Sequence, residues 1–472
     1  MKKYLSDSLP PLSGHEQELV YCGLDSAVTL ELLQHLEPSL GEARPIYEHG
    51  RRLLAPYLTM MSRGIKVDTA KLEVKKPLLA GKIAELTTWF RDMAEACLSE
   101  RPNEKIVNSP LQLKRLFYEA LAIPTLYKLE KGQRKIALDR KALEKIRKKY
   151  LRGAAPAGAL LRIRDTAKTL STLESGLRNS RWHCSYNLAG TETWRRSSSE
   201  HPLGYGDNLQ NKARHLRELF ISDEGFTLAQ ADQAQAEARD VAYLSGDEGY
   251  LHAVNGPDLH TTVAAMVWGF EARRDLADRK LYREKSYRDI VKNIGYASNY
   301  DGTPPTLANL YGIELPVIED FHQRYHLGPN AAFPGIKRWQ DATVAEAQHK
   351  GYLETCFGYR RQFWGRLGDD STMREAIAFR PQNMTGARTA IALWKLYWEL
   401  EPSLQLLQEG HDSILFQVPE GSDLLPAVKK CLEVPCEITD IQGATRTQLV
   451  PWETKTGKNW RDRSEENPEG LK

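Results

Sequence analysis

The stretch Phe226–Ser245, FTLAQADQAQAEARDVAYLS, constrains the fold more than any other part of this chain. Its first residues are apolar and partly β-favouring, as in a short buried strand. From Gln235 onward Ala, Glu and Arg make the text helical. Asp232 falls at the junction, where a strand ending and a helix beginning leave a carboxylate at the rim of a sheet. The same residue reads as an N-cap, with Gln235 three positions on completing a capping box. Taken alone the stretch favours the cap, because caps are common and catalytic acids are rare.

The 472 residues suffice for roughly two to four subdomains with ample core. A formal charge of +3 conceals local basic blocks, notably Lys131–Arg152, so the net value says little about nucleic acid. The six cysteines (Cys22, Cys97, Cys184, Cys356, Cys431, Cys436) show neither CxxC pairing nor framework spacing, which implies a reducing compartment and no structural zinc. The opening MKKYLSDSLPPLSGHEQ is too polar for a signal peptide, and no apolar run approaches membrane length. The expectation is a soluble cytoplasmic protein without a membrane partner and without internal repeats.

GHEQELVYCGLDSAVTLELLQHL reads as one helix with Tyr21 and Asp25 on one face. Pro45–Met61 and Ala70–Leu98 carry helical apolar spacing around a turn at Gly64, and Ser109 caps a helix over Leu111–Leu121. Lys131–Arg152 is either a solvated helix face or a phosphate contact. Arg181–Phe220 alternates β-favouring and polar residues, then offers Ser, Arg and Asn side chains suited to phosphates and groove edges, or to a surface loop. Asp258 and His260 precede an apolar helix that Asp258 can cap. Arg288, Lys292, Tyr296 and Tyr300 follow at four-residue steps, close to one face of a single helix. Arg288 to Tyr296 spans ~12 Å along the axis, the reach of a triphosphate with its sugar, and a solvated face would not need two tyrosines. Gly351–Trp364 reads as a hairpin turning at Gly358. Met373–Leu400 reads as a helix interrupted by Pro381. His411 and Asp412 stand before the apolar run Ile414–Val418, where a carboxylate is costly without a cation.

In this order the motifs resemble those of family A DNA polymerases, from about Pro45 to Asp462. Asp232-Gln-Ala-Gln235-Ala-Glu237-Ala-Arg239 resembles the first palm motif, D-x-S-Q-x-E-x-R, with Ala234 in place of Ser. Arg288-x3-Lys292-x3-Tyr296-x3-Tyr300 matches the fingers-helix motif, with Asp301 inserted before Gly302. His411-Asp412-Ser413 matches the second palm motif, with Ser in place of Glu. Thr193-x-Arg195 with Ser197 and Ser198, Asn208-Leu-Gln210-Asn211, Asp258-x-His260, Arg374 with Gln382, and Gly457-x-Asn459-Trp460 complete the set, and Ala378 stands where the family has Asn.

The resemblance implies an α+β right-hand fold, mostly helical around a small antiparallel palm sheet. It divides the chain into a remnant of a 3′–5′ exonuclease domain (1–44), thumb (45–185), palm (186–250), fingers (251–399) and palm again (400–472). It implies template-directed phosphoryl transfer from deoxynucleoside triphosphates to a primer, with two magnesium ions, for which manganese can substitute. Asp232, Asp412 and the Gln233 carbonyl would be the metal ligands. Arg288, Lys292 and His260 would take the triphosphate, with Lys292 also protonating pyrophosphate. Tyr296, Gln235 and Glu237, the steric gate, would line the nucleotide. Arg195, Asn208, Gln210, Tyr300, Arg374, Gln382 and His411 would contact DNA. Tyr21-x3-Asp25 resembles the last exonuclease motif without its earlier acidic partners, so the expectation is a monomer without proofreading, served by a separate exonuclease chain or processivity factor. A single-subunit RNA polymerase shares the Asp pair and the Arg–Lys–Tyr helix, but Glu237 argues against it. Intact Asp232, Asp412, Arg288 and Lys292 argue against a non-catalytic nucleic-acid-binding relative.

Overall fold

Phe226–Gln233 forms a strand, β1, at the centre of a four-stranded antiparallel sheet. The computed structural model of the protein describes residues 13–130, 132–174, 177–366 and 368–472, so Lys131 of the basic block and residues 1–12 lie outside it. The other strands are β2 (Gln405–Gly410), β3 (Ser413–Pro419) and β4 (Trp452–Gly457), in the order β2–β3–β1–β4. A strand with neighbours on both sides and cover on both faces needs apolar residues at successive positions, and Leu228, Ala229 and Ala231 are all fully buried. The register sets Ser413 opposite Asp232 on one side and Glu453 opposite it on the other.

The sheet continues from β1 into the helix α1 (Ala236–Ser245), and α2 (Leu259–Trp268) follows. The long helix α3 (Asp370–Leu400) lies against the sheet, sharing a core in which Leu393 and Leu396 meet Leu228, Ile414 and Phe416. Each such buried side chain contributes about 1.5–3 kcal/mol. Pro381 does not interrupt α3, contrary to the expectation from sequence. A proline inside a helix costs about 3 kcal/mol, and the nearly continuous buried run from Ala376 to Leu396 offsets it. Arg44–Arg63 also packs on this core, through Leu53, Tyr57 and Met60.

A second core joins α1 and α2 to Ile290, Ile294, Phe321 and Trp339. A third, around Phe90, Phe117, Leu143 and Leu160, holds together the helices between Thr69 and Glu174. The basic block there is not one helix. Tyr127–Glu130 pairs with Gln133–Ile136 as a hairpin across Gly132, whose φ of 76° suits glycine, and the helix begins only at Arg140. The 351–364 segment is a hairpin as expected, with Gly358 at φ 81°. Gly14–Leu36 is a helix opened by a Ser13–Glu16 capping box, with no buried residue and with Leu19, Leu24 and Val28 exposed. Among the described residues no helix is long and apolar enough to cross a membrane.

Candidate active site

Asp232 is not an N-cap. The strand runs on through Gln233, and Gln235 takes the cap position with a left-handed φ of 55° and no side-chain cap bond. The Asp232 carboxylate accepts instead from Gln230 Nε2, at 2.9 Å to each oxygen. Asp412 sits in the two-residue turn between β2 and β3, beside His411 at φ 47°. A residue with a Cβ is strained there, and Thr389 Oγ1 holds the turn by donating to the His411 carbonyl at 2.9 Å. Gln233 N donates to the Asp412 carbonyl at 2.9 Å, which joins the two carboxylate-bearing strand ends through the main chain. Burial, then the charge of Asp232, pushes Asp412 up to about 6. Burial also raises Asp232, against Gln230, Lys455 and Arg217. Two neighbouring carboxylates raised in this way, Asp232 half-buried and Asp412 exposed at the turn, form a donor set that fits a hard divalent cation, which keeps water and substrate oxygens for the rest of its shell. Among the described residues no group of three or more His, Cys, Asp or Glu gathers as a closed metal cage. Asp232 opens into a cleft of about 610 Å³ that Arg217, Glu453, Lys455 and Asp462 also line.

Glu237, in the first turn of α1, is gripped from two sides. Arg195 Nη2 donates to one carboxylate oxygen and the Tyr300 hydroxyl to the other. Arg195 Nε also donates to the Gln382 carbonyl at 3.2 Å. Both charges are therefore internally paired, and Glu237 stands as a fixed wall rather than a mobile side chain.

The helix bearing Arg288 is continuous from Tyr287 to Asn299, but Val291–Gly295 is a π turn. In an α-helix each four-residue step overshoots a full turn by about 40°. The wider π turn rotates less per residue and returns part of that drift, which holds the repeat on one side. Arg288 is paired with Asp258 through two contacts, 3.2 and 3.3 Å, and Asp258 also caps α2 at the His260 and Thr261 amides. Burial alone would raise Asp258, but Arg288 and the amide and hydroxyl donors hold it at about 2. His260 is pushed down to about 4 by burial and then by Arg288. Lys292 is exposed, whereas Tyr296 is half-buried with its hydroxyl raised, mainly by burial and further by the charges of Glu237 and Asp412. Tyr300 is the last residue of the run and turns to Glu237.

The remaining DNA-contact candidates divide into two groups. Gln210 is turned inward, donating to the Arg196 carbonyl at 3.2 Å and to buried Glu409 at 3.3 Å. Asn208 Oδ1 accepts from Ser198 Oγ at 2.8 Å and from the Asn211 amide at 3.1 Å, shaping its own loop. Arg374 and Gln382 are half-buried on α3, eight residues apart, and His411 lies at the β2–β3 turn. The Nδ1 atom of His411 is buried without a hydrogen-bond partner.

Sequence reasoning missed the polar layer beneath Asp232. Arg388, fully buried, donates to Asp240 at 2.8 Å, to Gln448 at 2.7 Å and to the Gln233 side-chain oxygen at 3.0 Å. Gln233 Nε2 in turn donates to Thr389 Oγ1 at 2.7 Å and to the Thr385 carbonyl at 3.0 Å. With its side chain so committed, Gln233 can offer a cation only its main-chain carbonyl. The signal was present as single charges inside apolar helical runs, Asp240 within AEARDVAYL and Arg388 within GARTAIAL.

Known proteins resemble this chain along most of its length. DNA polymerase I of Thermus filiformis is 31% identical over 438 residues, covering 86% of this chain and 49% of its own length. DNA polymerase I of Deinococcus radiodurans is 29% identical over 463 residues, covering 93% and 44%. The chain thus spans about half the length of the curated relatives it matches. A solved structure, the POL domain of Pol1 from M. smegmatis in complex with DNA primer-template and dNTP, superposes with a TM-score of 0.70 at 24% identity, over 87% of this chain and 70% of that one, and so has the same fold. The family described as DNA polymerase family A matches residues 77–462, across both strand-end carboxylates and the helix of Arg288, and the chain belongs to that family.

Proposed function

We propose that the chain is a DNA-templated DNA polymerase, extending a primer 3′ end with deoxynucleotides by metal-assisted phosphoryl transfer. The observation that carries this reading is the Gln233 N–Asp412 carbonyl bond, which fixes two carboxylates, both raised above their ordinary range, at one point of a central sheet. Asp232 and Asp412, with the Gln233 carbonyl, would hold two magnesium ions, or manganese in their place. Bound there, such ions stabilise the attacking and leaving oxygens of an in-line displacement. The chain's own residues do the positioning. Arg288 exchanges Asp258 for a phosphate, a trade between two anions that leaves its orientation unchanged. Lys292 and His260 complete the triphosphate site, and exposed Lys292 supplies a proton to the departing pyrophosphate. Arg374, Gln382 and His411 face the duplex. Primer–template DNA and dNTP are the molecules named with the M. smegmatis neighbour, which supports the same partners here. Template-dependent extension of a labelled primer with Mg²⁺, abolished by EDTA, is the expected result. Folded protein that binds duplex but adds no nucleotide under these conditions would overturn the reading.

The double grip on Glu237 predicts how sugars are selected. A carboxylate held by Arg195 and Tyr300 cannot swing away from a 2′-hydroxyl. Glu237→Ala should raise ribonucleotide incorporation relative to deoxynucleotide by at least about tenfold, whereas Glu237→Gln, which keeps the wall, should stay near the parent. Competition assays with paired rNTP and dNTP decide it, and equal selectivity in Ala and parent would place the gate elsewhere.

Tyr296 predicts a second selectivity. Burial keeps its phenol protonated and available as a donor. An incoming nucleotide's 3′-hydroxyl can bond to its own phosphates, and a dideoxynucleotide cannot. The phenol can replace that partner, and a hydrogen bond to a charged acceptor is worth about 1.5–3 kcal/mol. Tyr296→Phe should therefore increase discrimination against dideoxynucleotides by at least about tenfold. Unchanged dideoxy/deoxy competition would show that Tyr296 does not face the sugar.

A further inference from the structure

Side chains two apart on a strand share a face, so Gln230 projects from β1 beside Asp232, half-buried and lining the same cleft. Its Nε2 is equidistant from the two Asp232 oxygens, at 2.9 Å from each. Its Oε1 accepts from the Trp460 indole Nε1 at 2.7 Å. An indole only donates and a carboxylate only accepts, so the two neighbours fix which end of the amide faces which. Trp460 is itself held. It is 3% exposed, meets Phe220 edge-on at 5.6 Å between ring centroids, and has the Arg217 guanidinium 4.5 Å from its own ring centre. Lys455, the register partner of Gln230 on β4, turns instead to Asp462 at 2.9 Å and leaves the amide on Asp232. Gln230 stands between fully buried Ala229 and Ala231, so the pleat of β1 also fixes the side from which it approaches.

We propose that Gln230 sets which divalent cation Asp232 accepts, by filling the position between the two carboxylate oxygens from which a cation would chelate both. The proposal rests on the reading of Asp232 as a metal ligand. Magnesium, with strict octahedral geometry and ligands at ~2.0–2.1 Å, takes single carboxylate oxygens and keeps several waters. Calcium, with about six to eight ligands at ~2.3–2.6 Å, also takes carboxylates through both oxygens at once. With the amide in place Asp232 offers a cation one oxygen at a time, which suffices for magnesium and withholds the two-oxygen ligand from calcium. Displacing the amide is opposed at both of its ends. Withdrawal from Asp232 gives up hydrogen bonds to a charged acceptor, and Trp460 keeps hold of the oxygen end. Gln230 is thus a positioning residue that acts through Asp232, and Trp460 positions it in turn, as partners of a ligating carboxylate commonly do.

The test is cation binding by the full chain without nucleotide or DNA. Electron paramagnetic resonance of free Mn²⁺, which shares the octahedral oxygen coordination of magnesium, gives the Mn²⁺ affinity, and displacement of Mn²⁺ by Ca²⁺ gives the Ca²⁺ affinity. Gln230→Ala should raise the Ca²⁺ affinity relative to that for Mn²⁺ by at least about tenfold. Trp460→Phe, which frees the amide without removing it, should shift the ratio the same way by less. Asp232→Ala should weaken binding of both cations, which ties the two affinities to this carboxylate. The proposal is overturned if the ratio in both Gln230→Ala and Trp460→Phe stays within about twofold of the parent. It is equally overturned if the two affinities fall together in Gln230→Ala, for the amide would then only orient the carboxylate. Both of those outcomes leave the metal assignment standing, whereas cation binding indifferent to Asp232→Ala removes that assignment and the proposal with it.

Discussion

Replacing Asp412 with Ala is expected to slow primer extension by at least about 10³-fold, a barrier increase of about 4 kcal/mol, while duplex affinity stays within about threefold. The two effects separate because the carboxylate and the DNA contacts lie on different groups. Asp412 has Asp232 as its main charged neighbour, and the nearby Arg195 is paired with Glu237, so removing Asp412 leaves Arg195 with its partner. A duplex, in contrast, would be held by cations on several elements, and losing one anion near the cleft would not weaken that attraction. Asp232→Ala should behave alike, although it also releases Gln230 Nε2. Single-turnover extension at saturating nucleotide gives the first number and fluorescence anisotropy with labelled duplex gives the second. Extension within about tenfold of the parent for either variant would remove that residue from the metal site.

Asp240→Ala is expected to destabilise the fold by about 3–5 kcal/mol, the cost of breaking a fully buried ion pair from one side. Both Asp240 and Arg388 have fully buried side chains. Without Asp240 the guanidinium keeps Gln448 and Gln233 as partners but no counter-charge. Replacing the pair together, Asp240→Leu with Arg388→Met, should recover much of the loss, because apolar groups of similar volume need no counter-charge. Denaturant melts of the three variants test this, and a loss below about 1 kcal/mol for Asp240→Ala would mean that water reaches Arg388. The double variant should still extend primers poorly, since Gln233 Oε1 loses its donor.

Local pattern made part of this site legible and left the rest hidden for identifiable reasons. Asp232, Glu237, Arg288 and Asp412 stand in short motifs whose spacing is kept by a single strand, turn or helix. The cap reading of Asp232 failed because pairing on both sides extends β1 through Gln233, a tertiary effect that no capping pattern contains. Gln210 looked like a groove contact, but its partner Glu409 is 199 positions away. The Arg195–Glu237 ion pair likewise spans 42 positions, so two residues with separate expected roles turn out to share one contact. Pro381 read as a break because its local cost is visible in sequence and the burial that offsets it is not.

The π turn at Val291–Gly295 has a consequence for changes of length. A substitution within those five residues alters side chains but not the phase of the helix. Deleting one residue and relaxing the turn to α would leave the phase from Tyr296 onward nearly unchanged, because four α residues turn through about 400°, much as the five π residues do. Tyr300 would then still reach Glu237, and Arg288 would keep its place beside Asp258. Inserting a residue, or relaxing the turn to α at its present length, would instead swing the two ends of the helix apart. A one-residue gap placed inside this segment when related chains are aligned is then the exchange of a π turn for an α turn, with the flanking side chains left facing the same way.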